Sequence, residues 1–103
     1  MLQIEDLKQE LQAQQPKIEY LKAALGYDQM MKEKEELDRE AADPNFWNDV
    51  ENTKKVLKEQ KLLNGKIGCY DALVNLYEET QTMIELAGEE EFSSEEEQEE
   101  FLQ

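Results

Sequence analysis

The chain has 103 residues, of which 36% are charged and 39% hydrophobic, and its formal net charge is -15. This length allows one small domain, and no apolar run approaches the roughly 20 residues that cross a membrane. A charge this negative repels nucleic-acid phosphates, which argues against direct binding to DNA. The single cysteine cannot form an internal disulfide, and the first residues lack the pattern of a secretory signal, so we expect a cytoplasmic protein.

A first helix is predicted over about residues 3–25, because apolar residues recur there at steps of three and four, which places them on one helix face. The repeat consists of Ile4, Leu7, Leu11, Gln14, Ile18, Leu21 and Leu25. Pro16 lies inside it, and a proline within a helix removes a backbone hydrogen bond at a cost of about 3 kcal/mol. Because the repeat keeps its phase across Pro16, the pattern favours one helix with a kink. Gly26 is typical of the residue that ends such a helix.

A second helix is predicted over residues 28–41, with Asp28 as its cap. Its apolar side consists of Tyr27, Met31, Leu37 and Ala41. The helix must end before Pro44, because the residue preceding a proline disfavours helical angles. Asp43 and Pro44 are typical of the cap and first position of a short helical turn. Asn48, with Glu51 three residues later, resembles the capping box that begins another helix.

A third, long helix is predicted over residues 49–87. Its repeat consists of Val56, Gln60, Leu63, Ile67, Tyr70, Val74, Tyr77, Gln81 and Ile84. Asn64 and Gly65 are an ordinary turn signal, so a hairpin at this point is the competing arrangement. The phase that continues through them favours one helix with a weak middle. Gly88 is predicted to end it, and Ser93 and Ser94 are predicted to begin a further helix over residues 94–103.

These segments predict an all-α fold: an antiparallel helical hairpin or small bundle with one long helix, forming a single domain over residues 1–103. The last predicted helix ends soon after it begins. That pattern favours a fragment of a longer chain.

No residue pattern supports an active site. The chain has no histidine, which is the commonest general base and metal ligand, so Cys69 has no imidazole partner for thiolate catalysis. Cys69 is interpreted as a small core residue, and the acidic run of residues 89–100 as solvated charge. We therefore predict that the chain is not an enzyme and binds no cofactor and no metal.

The stretch "ADPNFWND", residues 42–49, holds the only tryptophan and has two interpretations. In the first, Phe46 and Trp47 fold back and close the end of the helical hairpin, where large rings add much apolar burial. In the second, Trp47 is an exposed anchor for a partner. The shortage of other large apolar residues favours the first. Contact positions between helices are likewise predicted for Tyr20, Tyr70 and Tyr77.

The segment "YDQMMKEKEELDREAADPNFWNDVENTKKVLKEQKLL", residues 27–63, resembles the N-terminal domain of the bacterial peptide chain release factor 2 family of class I release factors. In that family a helix rich in Glu and Lys leads into an Asp-Pro-x-x-Trp stretch and then into a long helix. The motif comprises Asp43, Pro44, Phe46, Trp47 and Asn48 here, and the resemblance extends from near the start of the chain to about Ala87.

The resemblance implies a translation-termination protein. The whole factor reads UAA and UGA stop codons through a Ser-Pro-Phe tripeptide and triggers peptidyl-tRNA hydrolysis through a Gly-Gly-Gln loop, and neither tripeptide occurs in this sequence. What is implied is thus the first, helical domain without decoding or catalytic parts. The implied partners are the ribosome, at a basic ribosomal protein surface near the stalk base, and the remaining domains of the same factor.

The competing hypothesis is an independent acidic coiled-coil scaffold or adaptor, dimerising through the Leu7–Leu25 or the Leu63–Ile84 stripe. Heptads this short, interrupted by glutamines and by Pro16, are poorly suited to an extended coiled coil. Self-association of the chain through an exposed apolar stripe is a separate expectation.

Overall fold

The computed structural model describes the backbone from Gln3 to Leu102, and the side-chain surroundings of residues 3–91 and of Glu96. The elements are α1 (Ile4–Gln12), α2 (Gln15–Leu25), α3 (Tyr27–Ala41), a short 3₁₀ helix (Phe46–Asn48) and α4 (Val50–Leu102). No strand occurs in this part of the chain, and none of these helices is long and apolar enough to cross a membrane. The prediction of an all-α fold with one long helix is confirmed.

Pro16 separates two helices, whereas the sequence favoured one kinked helix. Two turn residues, Ala13 and Gln14, lie between α1 and α2. The Gln14 amide donates to the Leu11 carbonyl at 2.9 Å, a tighter turn than an α-helix makes, and the α-helical pattern resumes where the Ile18 amide donates to the Gln14 carbonyl at 3.0 Å. Since Pro16 has no N–H, the Gln12 carbonyl loses the partner that a continuous helix would give it. The spacing of the apolar residues continues across Pro16, but the helix is interrupted there.

Gly26 divides α2 from α3 through its backbone conformation. Its φ is +65°, in the left-handed region, and its N–H donates to the Ala23 carbonyl at 3.1 Å. Glycine adopts this conformation without the penalty that a Cβ brings. The same residue is the N-cap of α3, so the prediction of Asp28 as the cap is wrong: Asp28 lies inside the first turn.

Gly88 does not end the long helix, and no separate helix begins at residue 94, because α4 continues to Leu102. The glycine instead permits close packing. A Cβ at residue 88 would lie 3.3 Å from Cγ2 of Ile4, in α1. The missing side chain of Gly88 therefore allows α1 to pack close to α4. From the sequence alone, this role cannot be told from that of a glycine that ends a helix. Asn64 and Gly65 also lie within α4, so the chain forms one helix here and not the competing hairpin.

Of the predicted domain, Met1, Leu2 and Gln103 lie outside the described residues.

The chain forms two compact units, one of residues up to Ile18 with those from Val74 onward, the other of Glu19–Leu73. In the first unit α1 runs antiparallel to α4. Ile4 lies beside Gly88, and Leu11 lines a small cleft with Tyr77 and Ile84. The apolar repeats of the two predicted helices meet here.

In the second unit α3 runs antiparallel to the first part of α4. Hydrogen bonds fix the pairing: Asn52 Nδ2 donates to Glu40 Oε1 at 2.9 Å, and Gln60 Nε2 donates to Asp38 Oδ1 at 3.0 Å. The pKa of the Asp38 carboxyl is lowered from its usual value. The main cause is the contact with Lys34, at 2.7 Å, and the hydrogen bond from Gln60 adds to it.

The buried side chains of this unit come from α3, the 3₁₀ helix and α4. They are Met30, Phe46, Thr53, Val56, Ile67 and Tyr70. Burial of Tyr70 agrees with its predicted helix-contact position. The same prediction is wrong for Tyr20, whose side chain is 77% exposed, and the interpretation of Cys69 as a core residue is wrong because its side chain is exposed.

Tyr27 joins α3 to α4 at the other end of their contact. Its ring lies 4.9 Å from the ring of Tyr70, centroid to centroid, and its hydroxyl donates to Asp71 Oδ1 at 2.8 Å. This hydrogen bond, followed by partial burial and the negative charge of Asp71, raises the pKa of the Tyr27 phenol. The protonated phenol is the form that the fold favours.

Two glycine substitutions are expected to change stability in opposite directions. Gly26→Ala should lower the free energy of unfolding by about 1–2 kcal/mol, because alanine is strained at positive φ. Gly65→Ala should raise it by about 0.5–1 kcal/mol, since Gly65 is helical and a Cβ there meets no atom within 4 Å. Urea unfolding of both variants measures the difference, and the opposite order would contradict the assigned backbone conformation of Gly26.

The Tyr27–Asp71 hydrogen bond should appear in a pH titration. Because the folded-state pKa of Tyr27 is raised, its contribution to stability is complete below the ordinary tyrosine pKa, about 10, and is lost as pH rises through the folded-state value. We expect Asp71→Asn to return the Tyr27 pKa toward its ordinary value, as measured by tyrosinate absorbance, with Tyr27→Phe identifying the signal. Glu35→Gln is the matched control. A pKa equally high in Asp71→Asn would refute the assigned cause.

Candidate functional site

The connection between α3 and α4, residues 42–49, is ordered by short polar side chains and is called here the α3–α4 turn. The Asp43 carboxylate accepts the Asn45 N–H at 2.8 Å, and the Phe46 N–H donates to the Asp43 carbonyl at 3.0 Å. Aspartate favours such local bonds over helix continuation. Pro44, which follows it, fixes its own φ and keeps the preceding residue from helical angles. The end of α3 at Ala41 agrees with these constraints.

Asn48 closes the short 3₁₀ helix, and a neighbouring residue caps α4. Asn48 Nδ2 donates to Asn45 Oδ1 at 3.2 Å, within the turn. The Asp49 carboxylate accepts the Asn52 N–H, also at 3.2 Å. A side-chain oxygen that takes a free amide of the first helical turn is the N-cap interaction. Asp49 therefore has the capping role that the sequence pattern assigned to Asn48.

Phe46 attaches the turn to the core. Its side chain is only 4% exposed, and its carbonyl lies 2.6 Å from the hydroxyl of Thr53, which also lies 2.9 Å from the Asp49 carbonyl. The hydroxyl has one proton to donate and is itself buried. Thr53 thus fixes the turn against the first turn of α4. Thr53 is not among the predicted contact residues of α4, although it lies three residues before Val56, in phase with the apolar repeat.

Trp47 lies outside the core, with 65% of its side chain exposed. Its ring contacts Phe46 edge to face, with 5.2 Å between the ring centroids and an interplanar angle of 81°. The interpretation that both rings close the hairpin is correct for Phe46 and wrong for Trp47. Consecutive residues in a tight turn point in different directions, so only one ring faces the core. The adjacency of Phe46 and Trp47 in the sequence therefore already indicates that only one of the two rings is buried.

The exposed surface of the turn combines an apolar centre with negative charge. Val50, 59% exposed, follows Trp47 closely in the chain. Residues 40–53 include Glu40, Asp43, Asp49 and Glu51 and no lysine or arginine. Exposed tryptophan is a typical anchor of protein interfaces. The arrangement suits docking to a surface that is positively charged and has an apolar pocket.

The carboxylates of the turn make local hydrogen bonds. In the part of the chain whose side chains are described, no group of three or more Cys, Asp or Glu side chains is placed to hold a metal ion. Asp43 and Asp49 each accept a backbone N–H. Their carboxylates therefore serve the local fold.

Comparison with known proteins identifies similar sequences in several bacteria. Peptide chain release factor 2 of Exiguobacterium sp. is 30% identical over 89 residues, which cover 86% of this chain and 24% of that protein. The proteins of the same name from Petrotoga mobilis and Listeria monocytogenes are 36% and 33% identical, over 67% and 86% of this chain and 19% and 24% of theirs. No family model and no solved structure matches.

These relatives confirm the similarity to peptide chain release factor 2 that the residues predicted. The chain spans about a quarter or less of the length of the curated relatives it matches. The similarity therefore concerns one region of those proteins.

The two rings of the turn should respond differently to truncation. Phe46→Ala is expected to lower the free energy of unfolding by about 3–5 kcal/mol, because it empties a buried site. Trp47→Ala should lower it by less than about 1 kcal/mol, since 65% of the Trp47 side chain is already exposed to water. Chemical denaturation followed by circular dichroism measures both values. Equal losses would show that Trp47 is a core residue.

Proposed function

We propose that this chain is the N-terminal, non-catalytic helical region of a translation termination factor of the release factor 2 type, acting in UAA- and UGA-dependent peptide release on the ribosome. Its similarity to peptide chain release factor 2 over 86% of its length carries this proposal. The codon-reading Ser-Pro-Phe and catalytic Gly-Gly-Gln tripeptides are both absent from the sequence. Under the proposal, stop-codon reading and peptidyl-tRNA hydrolysis belong to other parts of the factor.

The role proposed for this region is recognition, with the α3–α4 turn as the docking element. Trp47 and Val50 are exposed apolar side chains in an otherwise acidic segment. An anchor of this kind fits a basic ribosomal protein surface, such as one near the stalk base, better than it fits RNA phosphate. The remaining domains of the same factor are the second proposed partner.

Ribosome binding tests both the function and the anchor. We expect the chain to co-sediment with ribosomes, and Trp47→Ala to weaken binding at least about tenfold, as truncation of an interface hot spot does. Tyr20→Ala is the matched control, because it removes an aromatic side chain that is more exposed than Trp47 but lies outside the turn. Binding should also weaken as salt is added.

The outcomes separate the two parts of the proposal. If neither the chain nor its Trp47→Ala variant binds ribosomes, the proposed function is wrong, and the hypothesis of an independent acidic scaffold gains support. If the chain binds and Tyr20→Ala weakens binding more than Trp47→Ala does, the function stands and the turn is not the docking element.

A further inference from the structure

The part of α4 from Val74 onward, which belongs to one unit, has a row of exposed side chains, three apolar and two acidic. This row is called here the outer stripe and consists of Leu76, Glu79, Met83, Leu86 and Glu90. Its residues follow at steps of three and four, which places them on one face of the helix. Leu76 is 60% exposed, Met83 69% and Leu86 56%, and both glutamates are exposed.

The outer stripe faces away from α1, the helix that packs against α4 in the same unit. Ile84 lines a cleft with Leu11 of α1, and Gly88 is the residue that Ile4 of α1 approaches. Leu86 lies two residues from Ile84 and two from Gly88, and two residues turn an α-helix by about 200°. The contact with α1 therefore uses the opposite face of α4, and the outer stripe stays exposed among the described residues of this unit.

The charged residues around the outer stripe are all negative. Residues 74–91 contain six glutamates and no lysine or arginine. The unit has two lysines, Lys8 and Lys17, both from the segment that ends at Ile18. Lys8 lines the cleft beside α1 together with Ile84, on the other side of α4. No cation of this part of α4 therefore balances the glutamates of the outer stripe.

This charge determines what can cover the outer stripe. Exposed apolar side chains that are grouped on one face mark a site of association. A second copy of the same stripe would bring the glutamates of two helices together, and like charges that face each other oppose pairing. A helix with lysine or arginine beside its own apolar residues forms pairs of opposite charge instead. Met83 suits such a contact, because the methionine side chain is flexible and adapts to its partner.

We propose that the outer stripe binds a basic amphipathic helix of another protein, which lies side by side with α4. Apolar residues of that helix contact Leu76, Met83 and Leu86, and its lysines or arginines pair with Glu79 and Glu90. Amphipathic helices are commonly recognised through anchors at such three- and four-residue spacings. The α3–α4 turn belongs to the other unit, so this binding is independent of the proposed docking of the turn to ribosomes.

Two synthetic helical peptides serve as probes. The first has the pattern Leu-x-x-Lys-x-x-x-Leu-x-x-Leu-x-x-x-Lys, which matches the outer stripe in a parallel pair, and the second has the reverse order, for an antiparallel pair. Alanine and glutamine occupy the other positions. Isothermal titration calorimetry at physiological salt should detect binding of at least one peptide. A peptide of equal composition, with its leucines spread around the helix, should bind at least about tenfold more weakly.

Charge reversal tests the pairing with the peptide that binds. Glu79→Lys with Glu90→Lys should weaken binding at least about tenfold, and this variant should bind a peptide whose lysines are replaced by glutamate. The matched control is Glu78→Lys with Glu89→Lys, at exposed positions one residue away, which changes the net charge equally on a different face of α4. It should bind the lysine peptide within about threefold of the unaltered chain, because salt screens exposed charges that are not in contact. A control that is weakened as much as the stripe variant would overturn the proposal.

Truncation tests the apolar part of the contact. Met83→Ala with Leu86→Ala should weaken peptide binding at least about tenfold. Leu57→Ala with Leu62→Ala, which truncates two exposed leucines of α4 in the other unit, should leave it unchanged, and circular dichroism should show equal helix content in all variants.

Two further results would overturn the proposal. One is that neither peptide binds the unaltered chain. The other is a chain that forms a dimer in sedimentation equilibrium and loses it in Met83→Ala with Leu86→Ala, because the outer stripe would then be covered by a second copy.

Discussion

The packing of α3 against the first part of α4 is the contact on which the α3–α4 turn depends. Met30 is buried with Val56, Ile67 and Tyr70, and hydrogen bonds at both ends, from Asn52 to Glu40 and from Tyr27 to Asp71, fix the alignment of the helices. In so small a domain few side chains are buried, and each contributes a large share of a marginal stability. Because this core occupies one face of α4, the other faces of the helix stay open to partners.

The α3–α4 turn shows how this core decides what remains outside it. Phe46 and the buried Thr53 tie the turn to α4, so the next ring, that of Trp47, is directed away from the interior. A buried aromatic residue thus positions an exposed one. Under the proposed function, this relation suits Trp47 to recognition, because the neighbouring Phe46 is buried in the core although Trp47 itself is exposed. It also explains how a segment without catalytic groups serves as the candidate site.

The distribution of charged residues along the chain says more about its surface than the net charge does. The total of -15 predicts repulsion of nucleic acid, but it does not show that residues 54–66 are rich in lysine and that no lysine or arginine follows Lys66. The fold places exposed leucines in both parts of the chain.

The sequence by itself determined the helical fold, the long helix through Asn64 and Gly65, the helix end at Gly26 and the similarity to release factor 2, because periodicity and local backbone chemistry act over a few residues. Only the tertiary structure decided that Phe46 is buried while Trp47 is exposed, that Asp49 rather than Asn48 caps α4, and that Cys69 and Tyr20 face water. It also decided the role of Gly88, where Ile4 of α1 approaches the backbone. A glycine that ends a helix and one that admits a neighbouring side chain are identical in sequence. The difference is made by an atom more than eighty residues away in the chain.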